Sequence, residues 1–460
     1  MKKIITFILT ISTFQLFAQH NLTMYNMHTL PQRISVNPAQ IVDSRFFIGI
    51  PGLTSFHFLY GNNGFKLKNL ISVDDSNRLL IKPKDFYNAL NNDNIINLSS
   101  SIDVFYMGFK LRKNYFTIGV SEKIKSQVVF PKDLLGLLII GNAGQNIGKD
   151  LNFNLAYDLM IYNDISLSYS RELMKKKLRL GAKLSYLNGA FNLNTEKSDL
   201  VFNTNQDDFH YTIRNNIKFN TSNVIDTLNE NFEFDDSKNY KTLLNRNRGM
   251  GFSFGAVYTV FPKLTLNASV VDVGYIDWKD NVINYSTTNP NKNIEFYGLD
   301  MNSIFVDSAD YNESVDKLLD TLKEKFDMTK TYKGYRTKLP STFYFGGNFW
   351  VTKRHNFGAL FYGNYYQKKL NPAITLSYNG KLTRAFGISV SYSMINKTFT
   401  NGGLGFTLNG GPFQFYMISD NVLGMIKYRD TKTIDLRFGI NLTFFRKDKL
   451  SGLSGKGLKK

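Results

Sequence analysis

Five histidines are the first candidates for chemistry: His20, His28, His57, His210 and His355. None stands in a His-Glu-x-x-His pattern, and no two are spaced as metal ligands on one strand face. There is no cysteine, so thiolate metal sites, disulfides and a lipid-modified cysteine are excluded. Asp208 and His210 share a face if their segment is a strand, an arrangement suited to acid–base catalysis. The polar stretch Asn203 to Asp208 beside them predicts a solvated surface pair instead. His57 falls on the less apolar side of its strand and is expected to be a hydrogen-bonded structural residue. Gly141 to Asp150 resembles a phosphate loop, but Ala143 replaces the first required glycine and Asp150 the magnesium-binding hydroxyl. Gly249-Met-Gly251 opens an antiparallel strand and is no dinucleotide fingerprint. The expectation is therefore no catalytic, cofactor-binding or metal-binding residue, and no cofactor.

The elements that would hold such residues alternate apolar and polar with period two, hairpin after hairpin, from about residue 100. Phe116, Ile118 and Val120 alternate with Thr117, Gly119 and Ser121. Leu151 to Leu159 gives a similar run. Leu178, Leu180, Ala182, Leu184 and Tyr186 alternate with Arg179, Gly181, Lys183 and Ser185. Phe252, Phe254, Ala256 and Tyr258 lead into Leu264, Leu266, Ala268 and Val270. Ile434, Leu436, Phe438, Ile440, Leu442 and Phe444 close the series. Apolar outside and polar inside is the pattern of a transmembrane antiparallel β-barrel.

The fold class expected is thus all-β, a barrel of about 14–16 strands with short helices in long loops; sixteen follow if residues 45–60 are one bent strand. Short periplasmic turns are expected at 112–114, 161–163, 261–263, 352–355, 379–382 and 410–412, with a longer one at 189–199. Long outer connections are expected at 61–100, 125–150, 220–248, 279–340 and 420–431. Pro131 to Ile140 and Glu313 to Phe326 read as short helices. Trp278, Trp350, Tyr275 and Tyr365 lie near strand ends, where an interface girdle accounts for them.

Composition agrees. Aromatic residues make 15% and charged residues 20%, yet mean hydropathy is −0.24, as when lipid-facing and lumen-facing residues average out. Residues 1–18 read as a signal peptide, with Lys2 and Lys3 ahead of an apolar core and Ala18 at the cleavage point. Residues 19–445 form the barrel, and the basic, Gly/Ser-rich stretch 446–460 is expected to be disordered. The formal charge is +19; without Lys2, Lys3 and the +5 of residues 446–460, +12 remains, spread over turns and loops. Scattered charge without a recognition motif excludes a nucleic-acid partner and suits anionic headgroups, so outer-membrane lipid and lipopolysaccharide are the expected partners.

Asn21-Leu-Thr-Met-Tyr-Asn-Met-His28 through Asn37-Pro38-Ala39 resembles the opening of type IX secretion barrels of the PorP/SprF kind. More of the chain resembles an uncharacterised family of Gram-negative outer-membrane barrels related to them. The matching segments are Leu178 to Ala190, Val271 to Trp278 and Gln414 to Asn421. A looser likeness to FadL-type barrels rests on barrel class. The resemblance implies an outer-membrane location and a non-enzymatic barrel that serves or scaffolds surface transport or type IX-like secretion, with cell-envelope secretion proteins as partners. The alternative is a FadL-like channel for small hydrophobic molecules, which needs a gated lumen. A barrel hydrolase at Asp208 and His210 is the third reading.

Overall fold

A computed structural model describes residues 21–444 except 41, 74–76, 142–143, 224–244, 291, 297–325, 367–368 and 396–397. The expected signal peptide, the expected tail and nearly all of the helix expected at Glu313 to Phe326 lie outside the described residues. Fourteen antiparallel strands close on themselves. β1 is one bent strand in two pieces, Phe46–Gly49 and Ser55–Asn62. β2 (Asp93–Leu111), β3 (Asn114–Pro131), β4 (Ala156–Leu173), β5 (Leu178–Thr204), β6 (Arg248–Phe261) and β7 (Leu264–Trp278) follow. Then come β8 (Ser341–Trp350), β9 (His355–Tyr366), β10 (Lys369–Lys381), β11 (Phe386–Ile395), β12 (Thr398–Gly410), β13 (Phe413–Ser419) and β14 (Thr433–Phe444). Both pieces of β1 pair with β14 on one side and β2 on the other, so no edge is left open.

Among the described residues the α-helices are α1 (Leu22–Tyr25), α2 (Leu67–Leu70), α3 (Pro83–Ala89), α4 (Lys132–Ile139) and α5 (Val422–Ile426). None of the described helices is long and apolar enough to cross a membrane. The strands cross instead: the protein is an outer-membrane β-barrel. Leu180, Leu184, Phe254, Phe345 and Leu376 face outward and stay exposed, while Arg179, Lys183, Ser185, Ser253 and Thr375 are buried inside. Without water in the bilayer core, backbone groups need internal partners, and closure supplies them all.

Connections at one end are short, at 112–113, 174–177, 262–263, 351–354, 382–385 and 411–412. Two expected turns are absent. Residues 161–163 lie inside β4, and 189–199 lie inside β5, which runs for 27 residues. Asn163 and Asp164 look like a turn pair, but Asp164 is a buried luminal carboxylate bonded to Lys123. Gly189 is a cut-out for the Trp278 ring, which a Cβ would meet at 2.4 Å. The true turn is 174–177, where Lys175 takes a left-handed φ of 50°. Replacing two false turns by this single true one leaves six short turns in place of seven and takes the count from sixteen to fourteen. The upper part of β5 rises beyond β6 and pairs with Tyr211–Ser222 in a lobe at the long-loop end. Leu151 and Phe153 belong to an apolar cluster of that lobe with Phe202, so the run expected from Leu151 to Leu159 is not one lipid-facing strand.

A second parity correction concerns the tryptophans. At Asp272 (φ 58°) a bulge opposes Phe252 to Phe254, and β7 changes face. Val271 and Ile276 are both buried, and Trp278 ends fully buried among Met160, Tyr162 and Leu187. Its Nε1–H donates to Thr337 Oγ1 at 2.8 Å. Trp350 shares inward parity with Tyr344 and Asn348, and its ring lies 4.6 Å from that of His28. Neither tryptophan belongs to an interface girdle. Tyr365 stays half-exposed.

Candidate functional site

The lumen is occupied by the segment that precedes β1. Residues 21–45 leave the short-turn end of β1 and fold inside the barrel. There α1 and a 3-10 turn at Pro31–Ser35 are buried on nearly all sides. This plug docks by three kinds of contact. Leu22, Met24, Tyr25, Met27, Leu30 and Val36 form an apolar core with wall residues including Tyr344, Tyr362, Tyr416 and Ile418. Tyr25 stacks on Tyr344 with ring centres 4.9 Å apart. Polar bonds reach β11, β10 and β13: Thr23 to Ser391 at 2.7 Å, Asn26 Nδ2 to Ser377 Oγ at 3.0 Å, and Gln414 Nε2 to the Thr29 carbonyl at 3.0 Å. Gln32 and Asn441 exchange amide bonds, at 2.7 and 3.0 Å.

Wall glycines make room. A Cβ at Gly181 would stand 2.5 Å from the Pro38 carbonyl carbon and 2.6 Å from the Ala39 nitrogen, which is backbone and cannot turn away. Asn37 donates to the Ala268 carbonyl and accepts from its own neighbour Ala39, so Asn37-Pro38-Ala39 is a docking turn.

The plug's upper end is clasped by a buried charged group. The Leu22 and Thr23 amides donate to the two oxygens of Asp420, at 2.9 and 2.8 Å. The Asp420 amide donates to Asp435 Oδ1, and Asp435 Oδ2 lies 2.9 Å from His57 Nε2. Arg437 donates to Asn21 Oδ1 and Ser55 Oγ. His57 is thus the luminal, hydrogen-bonded histidine that its strand parity predicts. Lower down, Arg33 and His28 hold the plug together: Arg33 donates to His28 Nδ1 and Gln40 Oε1. Burial, with the Arg33 charge, pushes the His28 imidazole well below its usual range, so it stays neutral and accepts.

Against the plug's Ile34 to Val36 a cavity of about 90 Å³ remains, lined by Lys123, Lys125, Lys183, Asp164, Asp272 and Arg437 among others. A drug-sized ligand takes roughly 300 Å³ or more, so this space holds water-sized molecules. Lys123 bonds Asp164 at 2.7 Å and faces Asp272 at 3.6 Å, while Lys183 bonds Asp272 at 3.0 Å. The bulge at Asp272 is what turns its carboxylate into this cluster. Sequence reading missed the cluster because its members lie on strands far apart in the chain; inward parity of Lys123 and Lys183 was the available signal.

Asp208 and His210 do come together, with Oδ1 and Nδ1 2.5 Å apart. They lie in the turn between β5 and Tyr211–Ser222 and not on a strand. The Asp208 side chain is 55% exposed. Thr212 Oγ1 is 3.4 Å from His210 Nε2, and Glu295 lies 3.8 Å from the same nitrogen. The hydroxyl is part-buried at the long limit of a hydrogen bond, beside a competing carboxylate, and the Asp208 end of the pair is open to water, which is a poor arrangement for acyl transfer. Among the described residues no three His, Asp or Glu side chains could hold a metal.

An outer-membrane barrel with a plug and a polar-lined wall is the class that fold and lumen define. Within it, the chain belongs to a family of unknown function, DUF5723, whose model matches residues 38–420. No characterised protein matches by sequence. Among solved structures, the Pseudomonas putida toluene transporter TodX is 8% identical, with 90% of this chain and 93% of that one covered and a TM-score of 0.38. A Pseudomonas aeruginosa FadL homologue is 9% identical, with 90% and 94% covered and a TM-score of 0.39. The Ralstonia pickettii toluene transporter TbuX is 8% identical, with 91% and 100% covered and a TM-score of 0.35. The comparisons give no link to the PorP/SprF type.

Proposed function

We propose that the chain is a gated channel for small molecules and that residues 21–45 are its gate. The observation that carries this reading is the plugged lumen. A segment tethered to the wall at Phe46 fills the barrel by apolar contact and mostly neutral hydrogen bonds, each worth about 1 kcal/mol net. Such a segment can leave without breaking a covalent bond, and the polar wall behind it is then a water-filled path. Small hydrophobic molecules are the first class to test. At the long-loop end Leu151, Phe153 and Phe202 cluster with Leu134, Leu137 and Ile213, offering such a molecule its first contact.

The test is uptake by whole cells of a labelled aromatic hydrocarbon and, in parallel, of a labelled trisaccharide. Cells lacking the protein are compared with cells carrying the intact chain or Asp420→Ala, which loosens the clasp. Uptake should fall in the deletion and rise in Asp420→Ala. A change in the trisaccharide alone would remove the hydrophobic cargo and keep the channel. No change in either solute would overturn the reading.

A further inference from the structure

At the long-loop end, the connection after β1 and the connection before β14 dock on one another. The Lys68 amide donates to the Arg429 carbonyl at 3.0 Å, and Lys432 Nζ donates to the Asn63 carbonyl at 3.0 Å. Lys66, Lys68, Lys427 and Arg429 are thereby gathered at one corner beside Asp430. Lys68 Nζ lies 2.5 Å from that carboxylate. The hydrogen bond from Lys68, with the charges of Lys68, Lys66 and Lys427, holds the Asp430 carboxyl below its usual range. Among the described residues Asp430 is the carboxylate paired with this group of four cations, and Lys68, Lys427 and Arg429 stand in solvent.

Beside them, α5 exposes Leu423 (54%) and Ile426 (70%). The position of Leu423 is informative. Its Cδ1 lies 3.4 Å from where a Cβ on Gly402 would stand. Gly402 shares its face of β12 with Leu404 and Leu408, which point outward and are exposed. So α5 folds over the lipid-facing side of the wall at its upper rim. Exposed aliphatic side chains on that face, with a cation cluster at the rim, match the order of acyl chain and phosphate in a membrane leaflet.

We propose that this corner is a binding site for the phosphorylated glycolipid of the outer leaflet. Its phosphates meet Lys66, Lys68, Lys427 and Arg429, and its acyl chains lie on Leu423 and Ile426. Charge complementarity selects the occupant: cations near an anionic headgroup layer each add attraction that fades within a Debye length. The site is independent of the gate, so either can fail alone.

The full chain is purified in mild detergent and titrated with lipid A, with enzymatically dephosphorylated lipid A and with phosphatidylglycerol vesicles. The intact chain should prefer lipid A over both others. Lys66→Gln, Lys68→Gln, Lys427→Gln and Arg429→Gln together should weaken lipid A binding at least about tenfold and flatten its salt dependence. Heat-modified migration on a gel checks that the barrel remains folded, and Leu423→Asn with Ile426→Asn provides a second variant that keeps every cation. That variant should lose affinity while retaining the preference for phosphorylated lipid. Equal binding of the dephosphorylated lipid, or unchanged affinity in both variants, would overturn the site. A stoichiometric protein that the quadruple variant loses, with lipid A binding unchanged, would reassign the corner to that partner.

Discussion

Asp208 and His210 show what residue types alone can suggest. Their proximity was legible from spacing two apart, but that a turn and not a strand holds them was not, because the turn is fixed by pairing of Tyr211–Ser222 with β5. Asp208→Ala with His210→Ala should therefore leave membrane levels and any uptake phenotype intact, checked by complementation of a deletion strain. Failure at normal protein levels would reopen the hydrolase reading. Gly181 has the opposite weight. Gly181→Leu should displace the Pro38–Ala39 turn and open the lumen, read as increased sensitivity to large antibiotics. His28 adds a pH dependence. Docked, its pKa is depressed; released, it returns toward 6.5. Docking is then fully stable above about pH 6.5 and weakens as pH falls below it, because only the released plug takes the proton. Conductance of the reconstituted protein should rise on acidification below that value, and His28→Asn should flatten the rise.

At the scale of elements, strand alternation was legible wherever one face met lipid and the other small polar groups. Phe444 is one such position: it faces outward and its ring lies 5.7 Å from that of Phe46 on the closing strand. Phe444→Asp places a charge near the interface, where the direct cost is roughly 0–1 kcal/mol. A large loss of the folded barrel on heat-modified gels would therefore report failed recognition of the final strand during assembly, and we expect that loss. What the alternation hid was physical. A luminal Asp164 bonded to Lys123 reads as turn chemistry until its partner is seen. The bulge at Asp272 reverses parity and carries Trp278 inside, which no local pattern announces. Trp350 needed only consistent parity with Asn348.

At the scale of the whole molecule, the barrel and its even strand number were legible, but the plug was not. Most of the described residues between 21 and 44 are buried, so neither a lipid face nor a water face gives them periodicity. The central claim is that this segment is a removable gate, and the absence of native cysteine allows a direct measurement. Thr23 and Ser391 hold their hydroxyls 2.7 Å apart across the plug–wall boundary. In Thr23→Cys with Ser391→Cys, a disulfide should form, and conductance of the protein in a planar bilayer should be recorded before and after reduction. The account predicts a silent barrel when oxidised, with openings that appear on reduction and match those of the intact chain. Equal conductance in both states, with the disulfide verified by mass, would contradict it.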